Sequence, residues 1–203
     1  MILKTHPDNP PIRNIQKAIA ALEAGELIAY ATDTIYGLGC DIQNKQAMEK
    51  ALLLKGYSKY HALSFLCADL SDISKYAHVD TPAYKIMKRC LPGPFVFILP
   101  ASREVPKILL TKQQTVGIRV PAHPVCHMLL KELGRPILST SVTSRSGEII
   151  PDPEDIEKEW RHEIGVILDS GVAADGRSTI VDLTDSDNPV VLREGKGDLA
   201  LLG

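Results

Sequence analysis

Residues 27–39 read Leu27-Ile28-Ala29-Tyr30-Ala31-Thr32-Asp33-Thr34-Ile35-Tyr36-Gly37-Leu38-Gly39, and the fold is decided by how this stretch is read. It opens as a short apolar run, a strand over 27–31. It then breaks into Thr-Asp-Thr and Tyr-Gly-Leu-Gly, poor material for a core. Hydroxyls and a carboxylate at a strand end require solvent, a hydrogen-bonding partner or a ligand. Gly37 and Gly39 permit backbone angles or close approaches that a side chain forbids. Alone, the segment reads equally as a turn between two elements and as one wall of a binding site.

Working outward, Ile12, Ile15, Ala18, Ile19 and Leu22 have helical spacing over 12–24, and Gly25 is placed to end that helix. Asn44 suits a cap for a helix through Leu54, closed by Gly56. Further helices are predicted over 71–77, from Asp80 or Thr81 up to the Pro92-Gly93-Pro94 stop, over 123–133 and over 153–161. Short β-like runs fall at 62–66, 95–99, 115–120, 137–141, 166–169, 179–183 and 190–193. Some strands alternate with helices and others follow one another. This order predicts one α/β domain over 1–203, built on a mixed parallel and antiparallel, twisted open sheet with packed helices.

The 203-residue chain is 44% hydrophobic and 24% charged, the balance of an ordinary globular protein. A net charge of −2 gives no overall attraction to nucleic acid, and 5% aromatics do not advertise a base-stacking platform. Four cysteines without a CxxC pair read as free buried thiols in a reducing compartment. No signal peptide or membrane span is expected, and the cytoplasm is the natural reading.

Chemistry is sought in cations that apolar surroundings make conspicuous. Arg119 sits within Val116-Gly-Ile-Arg-Val, Arg193 follows Val190-Val191-Leu192, and Lys55 ends an apolar helix. Each must reach water, an acid or an anionic ligand. Hydroxyl-rich strand ends accompany them: Thr32 and Thr34, Ser139 to Ser141, Ser178 and Thr179. Guanidinium binds carboxylate or phosphate in bidentate fashion, and hydroxyls complete the bonding. The expectation is a concave site for a small anion, walled by strand ends. A P-loop reading of Gly171 to Ser178 fails because a strand, not a helix, follows.

Taken in order, the first motif, Lys55, Pro92-Gly93-Pro94, Gly117 to Pro121, Leu138-Ser139-Thr140-Ser141, Ser178 to Asp182 and Leu192-Arg193-Glu194-Gly195 resemble the threonylcarbamoyl-AMP synthase family of YrdC/YciO type. The resemblance spans roughly 10–200. His6 to Pro10, Cys40 after Leu38-Gly39, Cys67 to Ser71 and the Ser-Thr-Ser tripeptide look most like the YciO branch. The resemblance implies use of L-threonine, bicarbonate and ATP to make threonylcarbamoyl-AMP and pyrophosphate for tRNA modification, with Mg²⁺ on the nucleotide and with tRNA-modification partner proteins. It places Thr34, Arg119, Ser139 and Ser178 at threonine, with Arg119 on the carboxylate. It places Lys55, Thr115, Ser141 and Arg193 on the ATP side, beside Tyr57, Lys59 and Thr143, while Tyr36 and the glycines shape the wall.

The chain departs from the family pattern where Lys-x-Arg reads Lys55-Gly56-Tyr57 and Ser-Ala-Asn reads Ser141-Val142-Thr143. It departs again at Cys67, Val96 and Ala31. Tyr57 cannot neutralise a phosphate, although Lys59 or His61 stands nearby. The resemblance also admits a different class of function. The family's fold resembles one associated with double-stranded RNA or tRNA binding, and Lys45, Lys50, Lys55, Lys59, Lys85, Lys88 and Arg89 are its candidate phosphate contacts. Three ligand-like groupings read as local structure: His123, Cys126 and His127 at a helix start, Trp160 at a helix end, and Asp182 to Asp187 in a turn.

Overall fold

The computed structural model describes residues 1–56, 63–110, 113–173 and 176–203. Among them run strands β1 (Ile2–Lys4), β2 (Leu27–Tyr30), β3 (Gly37–Asp41), β4 (Ser64–Leu66), β5 (Phe95–Pro100), β6 (Thr115–Arg119), β7 (Ile137–Ser141), β8 (Ile164–Asp169), β9 (Thr179–Asp182) and β10 (Val190–Arg193). The helices are α1 (Ile12–Glu23), α2 (Lys45–Leu54), α3 (Leu70–Tyr76), α4 (Thr81–Cys90), α5 (Pro124–Leu133) and α6 (Pro153–Trp160). The strands form one sheet in the order β1-β8-β2-β3-β7-β4-β6-β5-β9-β10. Pairing is parallel at β1/β8, β2/β8, β4/β6 and β5/β9, and antiparallel elsewhere, so the sheet is mixed as the element order predicts.

Helix ends follow their local signals. The Asn44 side chain accepts Ala47 N at 3.0 Å, and Asp69 and Asp80 cap α3 and α4 in the same way. Gly25, at φ +80°, and Gly56, at φ +59°, end α1 and α2. Three corrections concern strands. β1 was not expected, β8 begins two residues before the run at 166–169, and 37–41, to which no strand was assigned, is a five-residue strand. Short helical turns at 107–109 and 199–201 also went unread. Ala62 of the expected 62–66 run lies outside the described residues.

β3 escapes a reading by pattern because Gly37 and Gly39 look like turn residues. Neither has a positive φ. They are glycines because the fully buried Tyr30 ring lies across them. A Cβ on Gly37 would stand 2.8 Å from Tyr30 Cε2, and one on Gly39 would stand 2.8 Å from Tyr30 Cε1 and 2.6 Å from Ile137 Cγ2.

Successive residues of β2 bury on opposite faces of the sheet. Ile28 and Tyr30 join a core with Ile15 and Leu22 of α1, Val125 and Leu129 of α5, and Val166 and Leu168 of β8. Leu27 and Ala29 join the larger core of the other face, with Met48 of α2, Ile73 of α3, Met87 of α4 and Trp160 of α6. One face is thus served by four helices and the other by two. Near α1 and α5 the second face is closed, whereas toward β10 it is not.

Candidate functional site

The open half of the two-helix face holds a cavity of about 440 Å³. Register explains its lining. Leu66 and Arg119 are partners across β4 and β6, Val96, Ile180 and Arg193 are successive partners across β5, β9 and β10, and all five line the cavity. The neighbouring row runs Ser139, Ser64, Gly117, Ile98 and Asp182, with Gly117 giving the floor a position without a side chain. The floor is an aliphatic strip, and the polar groups gather at its two ends.

At one end Arg119, 8% exposed, is held by the β2–β3 loop. Its Nη2 donates to Thr34 Oγ1 at 2.8 Å, to Thr32 Oγ1 at 3.3 Å and to Asp33 Oδ1 at 2.5 Å. Thr32 shapes that loop, its hydroxyl accepting Thr34 N at 3.1 Å and donating to the Ile35 carbonyl at 2.6 Å. Ser139 lines the same end, fixed by the Tyr30 hydroxyl at 2.7 Å. Burial pushes the Tyr30 phenol far above its usual range, so it remains a donor. Of the four residues expected at threonine, Arg119, Ser139 and Ser178 line the cavity. Thr34 is fully buried and meets the site through the Arg119 guanidinium.

At the other end Thr115, Gln113, Asp182, Thr184 and Arg193 converge. Arg193 Nε and Nη2 donate to the Ser178 carbonyl at 3.2 and 3.0 Å, tying β10 to the start of β9. Ser141 lines the wall between the two ends, with Tyr36 and Gly37. Lys55 and Thr143 stand apart from this lining and meet each other, Nζ donating to Oγ1. Desolvation, then the positive charge of Arg177, lower the Lys55 ammonium to about 8. Tyr57, Lys59 and His61 lie outside the described residues.

Sequence reading attached no role to Asp33, Tyr30 or Lys196. Lys196 Nζ donates to the Asp33 carbonyl at 3.1 Å. The C-terminal segment that carries it is held by Thr179, whose hydroxyl accepts Gly195 N at 3.0 Å and Gly197 N at 2.9 Å. The carboxylate in Thr-Asp-Thr was the one available signal for Asp33.

The local-structure readings hold. His123 caps α5 by accepting Val125 N, and the Cys126 thiol donates to the Ala31 carbonyl at 3.1 Å. Trp160 ends α6, with its indole nitrogen on the Thr143 carbonyl at 2.8 Å and Arg145 over its ring. All four cysteines are free and buried, and burial raises every thiol, Cys40 to about 12. Of the cations considered for RNA, Lys45 and Lys50 lie on α2 and Lys85, Lys88 and Arg89 on α4, helices that pack on the face opposite the cavity, Lys55 follows α2, and Lys59 lies outside the described residues. Lys50 Nζ donates to the Glu163 carbonyl, and Arg89 to the Leu201 and Leu202 carbonyls. Among the described residues no helix is long and apolar enough to cross a membrane, and no group of three His, Cys, Asp or Glu could hold a metal ion.

A family model, Sua5_yciO_yrdC, described as telomere recombination, matches residues 20–195. The chain belongs to the Sua5/YciO/YrdC family. YciO of Escherichia coli K12, described as uncharacterized, is 41% identical over 196 residues, which is 96% of this chain and 95% of that one. The E. coli YciO crystal structure superposes with a TM-score of 0.94, covering 100% of this chain and 98% of that one at 40% identity. The threonylcarbamoyl-AMP synthase of Vibrio vulnificus YJ016 is 28% identical over 187 residues, 91% of this chain and 100% of that enzyme. P. abyssi Sua5, in a crystal structure with L-threonine, superposes with a TM-score of 0.88 at 28% identity over 96% of this chain and 57% of its own. The resemblance to the Sua5/YciO/YrdC family stands, as does the expected fold.

Proposed function

We propose that this chain makes threonylcarbamoyl-AMP and pyrophosphate from L-threonine, bicarbonate and ATP, serving threonylcarbamoyladenosine formation in tRNA. The observation that carries the reading is Arg119, a nearly buried guanidinium at the head of a cavity, set among hydroxyls. Such a group binds a carboxylate strongly because little water competes for it. Membership in a family that includes threonylcarbamoyl-AMP synthases, with a threonine-bound Sua5 among the structural relatives, supports threonine as the owner of that carboxylate.

In this reading Ser139 and Ser178 bond the polar groups of threonine, and Thr34 steadies Arg119. The threonine ammonium gives up a proton, bicarbonate takes up a proton and leaves its oxygen as water to become CO2, and the amine nitrogen bonds to the CO2 carbon while its second proton passes to solvent, giving a carbamate. A carbamate oxygen attacks the α-phosphorus of ATP while the bond to the β-phosphate oxygen breaks and pyrophosphate leaves. Lys55, Arg193, Thr115, Ser141 and Thr143 serve the nucleotide, and Mg²⁺ arrives on the substrate's phosphates. The work is positioning and charge neutralisation, which needs no strong protein base.

The test is a product assay with ATP, Mg²⁺ and bicarbonate, with and without threonine. Threonine-dependent pyrophosphate and threonylcarbamoyl-AMP are expected. Arg119→Ala should lower that turnover by at least about 100-fold, since a buried charge pair is lost. If neither product forms while a synthase with the usual Lys-x-Arg pattern works alongside, the reading fails, and the assay moves to RNA and other small anions.

A further inference from the structure

The ion pair that joins Arg119, in the cavity lining, to Asp33, just behind that lining, is half made. Arg119 Nη2 meets Asp33 Oδ1, yet Arg119 Nε and Asp33 Oδ2 are both buried without a hydrogen-bond partner. The two side chains are only 10% and 11% exposed. Buried charged atoms left unpaired are costly and call for a reason. A carboxylate and a guanidinium left to themselves settle side-on, with two parallel bonds. Here one bond is made. Thr32 and Thr34 hold the guanidinium through Nη2, and Lys196 holds the Asp33 backbone at its carbonyl. One donor and one acceptor of opposite charge are therefore left over at the same place.

We propose that Asp33 receives the ammonium group of an α-amino acid substrate, which binds by inserting its zwitterion into the Asp33–Arg119 pair. This rests on reading Arg119 as the carboxylate site. On binding, the substrate carboxylate takes Arg119, including Nε, and the substrate ammonium takes the Asp33 carboxylate, including Oδ2; the nitrogen gives up a proton and leaves Asp33 before it bonds to carbon. One ion pair becomes two, and no net charge enters the buried site, so neither protein charge is stranded. The residue that neutralises Arg119 in the empty site thus becomes the one that recognises the amine. A ligand with only a carboxylate must displace Asp33 and leave it unpaired. A ligand with only an amine leaves Arg119 unpaired. The site selects for both groups at once, adjacent on one carbon.

The experiment titrates purified protein calorimetrically with L-threonine, with the 2-hydroxy acid of the same skeleton and with threoninol. Wild type should bind threonine at least about tenfold more tightly than either analogue, the worth of a charge-assisted bond. Asp33→Asn should weaken threonine about 10- to 100-fold. It should leave the hydroxy acid unchanged or tighter, because Arg119 has lost its competing carboxylate. Equal weakening of both carboxylate ligands would reduce Asp33 to an orienter of Arg119 and overturn the proposal. Tighter threonine binding would make Asp33 a mere block and overturn it too. If the variant does not fold, the wild-type panel decides, and a hydroxy acid bound as tightly as threonine sinks the idea. An α-amino acid that follows the expected pattern in a protein giving no threonine-dependent pyrophosphate would uphold the Asp33 assignment and remove the proposed function. Wild type that binds no α-amino acid removes both.

Discussion

Burial and the charge of Arg177 bring the Lys55 ammonium from its ordinary 10.5 to about 8. This has a definite sign for folding. Between those two values the unfolded chain holds a proton that the folded chain has released, so stability rises with pH across that window. Below about 8 both states are protonated, and the cost of burying the charge stands in full. For a phosphate-bearing ligand the sign reverses, because the ligand needs the protonated amine. Pyrophosphate affinity should fall by about tenfold per pH unit above 8, and Lys55→Met should flatten that dependence; titration at three pH values measures both. Single residues were legible in the sequence where their own neighbours made them conspicuous. Arg119 stood out because it is charged within an apolar run. Its partner Asp33 is 86 positions away, and Tyr30 reaches Ser139 across 109, so neither contact leaves a local trace.

At the level of elements, the helices were readable because their signals lie within a few residues of their ends. Asn44, Asp69, Asp80 and Gly25 each act on their own turn. β3 was unreadable for the opposite reason. Its two glycines answer to Tyr30 on the neighbouring strand and to Ile137 on β7. Gly39→Ala therefore overfills a closed space and should cost about 1–3 kcal/mol in urea unfolding. The same methyl pushes against the ring whose hydroxyl steadies Ser139, so threonine affinity should fall along with stability. A loss of stability with unchanged affinity would separate Tyr30 from the site.

Across the whole molecule, alternation of strands and helices in the sequence foretold a mixed sheet, but not which strands become neighbours. That order depends on pairings such as β2 with β8, whose residues lie more than a hundred positions apart. It also decides that two helices share one face and leave half of it open, and no single segment records this. The C-terminal segment borders that opening and hangs on Thr179. Thr179→Val strands two amides, and limited proteolysis should then cut the last ten residues sooner while the thermal melting of the rest shifts little. The same tie has another consequence. Because Lys196 rides on this segment and grips the loop that carries Asp33, the chain's tail is mechanically in series with the head of the cavity. A dye attached near residue 203 would then respond to events that begin at residue 33, giving a remote reporter of occupancy in a protein whose single tryptophan, Trp160, packs on the other face of the sheet.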